Sequence, residues 1–295
     1  MKIAIMGAGA VGCYYGAMLS MAGHEVVLIG RPALVQAVRA DGLILDKAGQ
    51  QHVCRVQASD RPDAITGAEM VLFCVKSGDT AAAGRQIAPF LSPDAMLLSL
   101  QNGISNPETL AQATGHSVIA SVVYVASGMA APGVVKHQGR GDLAIGGDRA
   151  AGAAAILQDA GIETQVSEDV MGLLWGKLVV NCAYNALSAV TRLPYGPLYA
   201  GDGIPRLLDD IVAECLAVAQ AEDIRIPADT IPTVKGVPDW MPGQFSSTAQ
   251  DIMRGRPTEI GFLNAEIVRR AEKHGLSVPL NRMLTALVEL IDRAE

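Results

Sequence analysis

Two groups of residues in this chain have the types and spacing to do chemistry. The first is Gly7-Ala8-Gly9-Ala10-Val11-Gly12, a GxGxxG run. Glycines at these intervals allow a tight turn, bring bare backbone up to a pyrophosphate, and let a helix pack closely on a strand. A helix opening there offers amide hydrogens and the positive end of its dipole to an anion. The second group is Lys177, Asn181, Asn185 and Ser188, the polar residues of an otherwise apolar stretch over 173–190. At about 100° per residue the four fall within about 80° of one another on a single helical stripe. A partly desolvated lysine with amide partners can act as a proton donor. A solvent-facing stripe on an amphipathic helix is the plainer alternative, although helix surfaces favour Glu, Lys and Gln over asparagine.

Smaller signals lie between and beyond them. Arg31 stands at the end of the run Glu25–Ile29, 19 residues past Gly12. Sites that take NAD place Asp or Glu there for the ribose 2′-hydroxyl, whereas a planar guanidinium suits a 2′-phosphate. The pattern therefore points to NADPH over NADH, against the alternative of a solvated loop arginine. Lys76 closes the run Met70–Lys76, and Asn102 follows the run Ala95–Leu100. Both fall at the carboxyl edge of a sheet, where open α/β folds bind ligands. A surface lysine and an Asn-Gly turn explain them equally well. Further on, Ser246-Ser247-Thr248 precedes Gly255-Arg256-Pro257-Thr258-Glu259. Pro257 fits the first turn of a helix, which puts Glu259 in that turn, where the helix dipole alone favours a carboxylate.

The elements that must hold these residues show two rhythms. Up to about residue 165, short strand-like runs alternate with helical stretches, which reads as βαβ units on a largely parallel sheet. The runs are Lys2–Met6, Glu25–Ile29, Met70–Val75, Ala95–Leu100 and Val118–Val125. Gly42–Leu45 with Val53–Gln57 reads as a hairpin insertion, and Val134–His137 with Leu143–Ile145 as a strand pair around a glycine-rich GRG. From about 167 onward the pattern is helical, punctuated by proline and glycine clusters. The expected architecture is an α/β Rossmann domain over 1–166, a parallel sheet with helices on both faces, followed by an all-α domain over 167–295.

Composition narrows the function classes. The chain has 295 residues, half of them apolar and 18% charged, which is globular rather than disordered. A formal net charge of −7 argues against a generic nucleic-acid binder. Five cysteines with no CxxC pair fit a reducing compartment, and no Cys/His grouping has metal-ligand spacing, so no metal site is expected. The uncharged stretches 3–23 and 117–135 are interrupted by glycine and proline, so a soluble cytoplasmic protein is expected rather than a membrane span.

Taken together, KIAIMGAGAVG, VKSGDT, QNGIS, the K-L-x-x-N-C-x-x-N-x-L-S-A run and SSTAQDIMRGRPTEI resemble the ketopantoate reductase family over essentially the whole chain. The resemblance implies a Rossmann domain joined to a helical domain. It also implies NADPH-dependent reduction of 2-dehydropantoate to (R)-pantoate in pantothenate synthesis. Carried over by motif, Lys177 matches the catalytic general acid and Glu259 a glutamate that contacts substrate. Asn102, Asn181, Asn185 and Ser247 match substrate-binding positions. Gly7, Ala8, Gly9, Ala10, Val11, Gly12, Arg31, Lys76 and Asn102 match the cofactor site. The implied partner is a small 2-keto acid, with no nucleic acid and no membrane, and a homodimer is left open. Two positions depart from the family pattern: Tyr195 and Gln244 stand where asparagines are common, near the expected substrate end. Reduction of another 2-keto acid, a β-hydroxyacid dehydrogenase, and a non-catalytic NADP-binding sensor are the competing readings.

Overall fold

The computed structural model describes residues 1–294 as two compact units, one ending at Val170 and the other starting at Met171. The break falls just past the expected 166/167, inside the first turn of a helix. In the first unit the strands are β1 (Lys2–Met6), β2 (Glu25–Ile29), β3 (Leu43–Lys47), β4 (Gln50–Cys54), β5 (Gln57–Ser59), β6 (Met70–Phe73), β7 (Met96–Ser99), β8 (Val118–Ala131), β9 (Val134–Gly146) and β10 (Thr164–Val166). Its helices are α1 (Ala10–Met21), α2 (Pro32–Asp41), α3 (Thr80–Ile87), α4 (Asn106–Thr114) and α5 (Ala150–Asp159).

The sheet order is β4-β3-β9-β8-β7-β6-β1-β2-β5, with β10 added on β9. Its parallel part runs β5-β2-β1-β6-β7-β8, so the direction of winding reverses beside β1. That reversal is the switch point at which open α/β sheets bind ligands. Alternate residues of β1 serve opposite cores. Ile3 and Ile5 pack with α1, α2 and α5, while Ala4 and Met6 pack with Ala83, Ile87 and Leu110 of α3 and α4. Burial on both faces explains why these strands read as continuous apolar runs.

The other strands make the sheet mixed. β3 and β4 form the expected hairpin, turning at Ala48-Gly49 with φ of 53° and 78°. Positive φ at both turn residues matches the twist of the strands it joins. The end of the expected second strand is instead a separate element: Gln57–Ser59 pairs with β2 on the far edge. The residues read as a strand pair around GRG are one strand, β9, antiparallel to β8. Register shifts at Tyr124/Val125 and Ala126/Ser127 leave Gly141 and Gln138 without partners, and Gly139, Arg140 and Gly141 all have positive φ. The glycines bulge the strand without ending it.

Order along this sheet requires it to curl. Only Arg55 and Val56 separate β4 from β5, a span of at most about 11 Å. Laid flat, eight strand spacings would hold those two strands about 38 Å apart. The sheet wraps around α1, which touches β1, β2, β3, β4, β8 and β9. Residues 3–23 are therefore a strand, a turn and an enclosed helix.

The second unit is helical: α6 (Val170–Thr191), α7 (Tyr195–Tyr199), α8 (Ile204–Ala221), α9 (Thr230–Trp240), α10 (Ser247–Met253), α11 (Asn264–Lys273) and α12 (Pro279–Ala294). α6 alone is long and apolar enough to cross a membrane among the described residues, but 67% of its apolar window is buried inside the structure, as in a core helix. Behind it, the fully buried Glu266 carboxylate receives Arg270 Nε at 2.7 Å, and Arg270 also pairs with Glu222.

Candidate active site

Each glycine of the first turn has a distinct physical reason. Gly7 has φ +98°, and a Cβ there would lie 2.5 Å from Val75 N and 2.7 Å from the Cys74 carbonyl carbon. Gly12 has ordinary helical neighbours, but a Cβ would lie 2.4 Å from Gly7 O and 2.8 Å from Ile5 Cγ2. Gly9 is different, since a Cβ there meets nothing within 4 Å. It caps α1, whose first turn (Ala10, Val11, Gly12) carries neither a side-chain cap nor an acid. Gly7 N and Ala8 N both donate to Ile29 O, at 3.1 and 2.9 Å, which ties the turn to the end of β2. The tight positions are packed by protein and the open one faces outward with a positive helix end behind it. These residues fit a dinucleotide pyrophosphate.

Arg31 follows β2 directly and is exposed. A Cβ on Gly30 would meet Ala8 Cβ at 2.9 Å, so glycine lets this end of β2 press against the turn and sets Arg31 beside it. No carboxylate occupies the position, and the guanidinium makes no ion pair among the described residues. Lys76 is not in a strand as expected: β6 ends at Phe73, and Lys76 lies exposed on the loop after it. Asn102 lies on the neighbouring loop after β7. A buried set of Ser77, Thr80, Gln101 and Asn106 links these two loops. Ser77, Thr80 and Gln101 were legible only as companions inside VKSGDT and QNGIS, and Asn106 lies one residue past the second of these.

In the second unit the polar stripe of α6 turns inward. Asn185 is 3% exposed and Ser188 0%, which disposes of a solvent-facing stripe. Asn185 Nδ2 donates to Ser247 Oγ at 3.3 Å, and Ser246 Oγ donates to Asn185 O at 3.1 Å. Ser188 Oγ donates to Leu193 O at 2.8 Å and accepts from Ser246 N at 3.3 Å. Ser246 also caps α10, accepting from Ala249 N at 3.0 Å. The buried end of the stripe thus anchors the start of α10. Asn181 and Lys177, one and two turns back toward the N-terminus from Asn185, are half-buried. About 12 Å of helix separates Lys177 from Asn185.

Glu259 departs from its expected setting. It is half-buried and precedes a short 3₁₀ turn, Ile260–Phe262, in non-helical backbone (φ −102°, ψ 24°), while α11 starts only at Asn264. Pro257 is likewise outside any helix, so dipole capping does not account for this carboxylate. Tyr195 and Gln244 adjoin: Tyr195 N donates to Gln244 O at 3.0 Å. The Tyr195 ring is 9% exposed and meets Tyr184 of α6 edge to face at 5.2 Å. Burial pushes its phenol up to about 12, so it stays neutral. No cluster of potential metal ligands occurs among the described residues.

A Rossmann turn fit for a dinucleotide, joined in one chain to a helical unit whose buried Asn185 and Ser188 continue a stripe from the half-buried Lys177, defines the class as a two-unit oxidoreductase. Family comparison agrees. Residues 3–149 match the family described as Ketopantoate reductase PanE/ApbA, and residues 169–292 match its C-terminal family. The chain belongs to the ketopantoate reductase family. A 2-dehydropantoate 2-reductase of Halobacterium salinarum is 32% identical, covering 99% of both chains. The crystal structure of a PanE/ApbA family ketopantoate reductase from Ralstonia eutropha JMP134 is 51% identical with a TM-score of 0.97, over 100% of this chain and 99% of that one. A D-mandelate dehydrogenase solved with NADH and anilino(oxo)acetate is 26% identical with a TM-score of 0.93, over 100% and 99%.

Proposed function

We propose that this enzyme reduces 2-dehydropantoate to (R)-pantoate with NADPH, as the reductive step of pantothenate biosynthesis in the cytoplasm. The observation that carries the reading is the α6 stripe, where a half-buried lysine continues a line of buried, hydrogen-bonded amide and hydroxyl groups. The turn Gly7–Gly12 takes the pyrophosphate, Arg31 the 2′-phosphate and Lys76 the neighbouring ribose phosphate region. The bound nicotinamide supplies the hydride to the C2 ketone. Lys177 gives its proton to the developing alkoxide and stabilises the charge. Asn181 and Asn185 orient that amine or the substrate hydroxyl. Ser247 donates to the substrate carboxylate, Glu259 accepts from the C4 hydroxyl, and Asn102 contacts the nicotinamide side or the substrate. The partner is a small 2-keto acid; the net charge of −7 supports no nucleic-acid role.

A second reading has its own support. Tyr195 and Gln244 adjoin, and a mandelate dehydrogenase with an aryl ligand shares the fold. An aryl or other 2-keto acid, reduced with either nucleotide, is that alternative. The deciding experiment is NADPH oxidation with 2-dehydropantoate beside aliphatic and aryl 2-keto acids, repeated with NADH. A kcat/KM for 2-dehydropantoate at least tenfold above the others supports the first reading. Preference for another keto acid transfers the same chemistry to a different substrate. Turnover of 3-hydroxy acids alone, or none at all, overturns both.

A further inference from the structure

We propose that Thr80 and Asn106 are positioning residues for this reduction, locking the loop of Lys76 to that of Asn102 and fixing the Asn102 peptide; the inference rests on the reading above. β6 and β7 pair up to Phe73 and Ser99, and one more backbone bond, Leu100 N to Phe73 O at 2.9 Å, closes the ladder. Beyond it, side chains take over. Ser99 Oγ donates to Gln101 Oε1 at 3.0 Å. Gln101 Nε2 donates both ways, to Val75 O at 3.1 Å and Thr80 Oγ1 at 2.6 Å. The single Thr80 proton then goes forward, to Asn106 Oδ1 or Ser77 O, each at 2.9 Å. Asn106 Nδ2 spends its two hydrogens on Asn102 O at 2.5 Å and Ser77 Oγ at 3.1 Å. Ser77 Oγ adds a second bond to Asn102 O at 3.1 Å.

With side branches to Val75 O and Ser77 O, the donors lead through Thr80 and Asn106 to the Asn102 carbonyl, where two of them converge. Asn102 O is held from two sides, and the next residue, Gly103, has φ +92°, a region that side-chain-bearing residues avoid. The rotation of the 102–103 peptide is therefore set on both sides, and the Asn102 side chain leaves from a fixed base. Thr80 and Asn106 are each 1% exposed, and Gln101 6%. Apolar residues of equal volume would pack the same space without fixing any peptide's orientation. A directional polar network here serves geometry at the sheet's carboxyl edge.

The test uses the full-length enzyme with NADPH and the best keto acid found above. Thr80→Val keeps the shape and removes the hydroxyl, Thr80→Ser keeps the hydroxyl, and Asn106→Asp removes the donors. Expected for Thr80→Val and Asn106→Asp is a kcat loss of at least tenfold. Amide hydrogen exchange of residues 101–105 should also quicken in the ligand-free protein. Thr80→Ser should stay within twofold of wild type in both. Wild-type kcat and exchange in Thr80→Val, or equal losses in Thr80→Val and Thr80→Ser, would overturn the proposal. Ser77→Ala gives an independent reading if a stronger variant does not fold: faster exchange at 101–105 supports the proposal and unchanged exchange refutes it. A wild type that reduces no keto acid sinks the proposed function, and the exchange comparison then decides the clamp alone.

Discussion

Replacing Gly9 and Gly12 separately by alanine pulls binding and folding apart within one turn. Gly9 has φ −85° and ψ −164°, open to any residue, and its added methyl meets no atom within 4 Å. Stability should change only by the preference of a helix cap for glycine over alanine, about 0.5–1 kcal/mol. The methyl would nevertheless stand between the backbone and a pyrophosphate. Losing one charge-assisted hydrogen bond, worth about 1.5–3 kcal/mol, lowers NADPH affinity by at least about tenfold. Gly12→Ala should do the reverse. Its methyl would press on Gly7 O at 2.4 Å and Ile5 Cγ2 at 2.8 Å. Overpacking at the upper end costs about 3 kcal/mol, offset by about 1 from helix propensity. The net loss of about 2 kcal/mol corresponds to a fall in Tm of roughly 4–8 °C for a unit of this size. Fluorescence titration with NADPH and urea unfolding of both variants supply the numbers. Wild-type NADPH affinity in Gly9→Ala would remove the turn from the nucleotide site, and wild-type stability in Gly12→Ala would refute the packing.

Lys177→Ala should lower kcat at least about 100-fold with NADPH affinity nearly unchanged, as steady-state rates and titration would show; a near-normal kcat excludes it as the acid. Arg31→Ala should lower the NADPH/NADH ratio of kcat/KM by roughly tenfold or more, through loss of a charged bond to the 2′-phosphate. Glu222 gives a pH-dependent stability. Burial raises its carboxyl pKa, but the His274 hydrogen bond at 2.9 Å and the Arg270 charge outweigh this and hold it below its ordinary value. The folded state thus keeps this proton off at lower pH than the unfolded chain does. The stabilisation is complete above the ordinary value of about 4.3 and fades as pH falls through the lowered one. Urea unfolding of Glu222→Gln against wild type should show a gap near neutral pH that narrows in acid; a constant gap would remove Glu222 as its source.

What the sequence made legible follows from which interactions are local. β1 and β2 were readable to the residue, because strands buried on both faces are apolar throughout. GxGxxG was readable because the contacts that demand glycine come from β1, from the turn itself and from the two residues just past β6. The inward turn of Asn185 and Ser188 was open from composition alone, because periodicity says which residues share a stripe but not what covers it. α10 covers it, some 60 residues downstream. Glu259 was misplaced because Pro257 also fits extended backbone, and no local rule distinguishes the two uses. β9 was split because glycine and arginine at positive φ usually end a strand. Here β8 continues alongside and supplies the pairing. The lock around Asn106 was hidden because it joins residues 21 to 29 positions apart, whose types are ordinary turn formers.

The curled sheet has a consequence for how this chain reaches its native state. Its two edge strands are neighbours in sequence but lie at opposite ends of the strand order, and α1 fills the hollow between them. α1 acts as a mandrel: until it is seated, β4 and β5 have nothing to close around and both stay available to other chains. Such non-local closure is slow, and partly wrapped molecules are the ones prone to aggregate. The nucleotide turn leads directly into that mandrel, so it takes its final shape only when wrapping is complete. A ligand of the turn can then trap the finished product but cannot hasten its formation. Dinucleotide in a refolding buffer should raise the yield of native enzyme and leave the rate of its appearance unchanged.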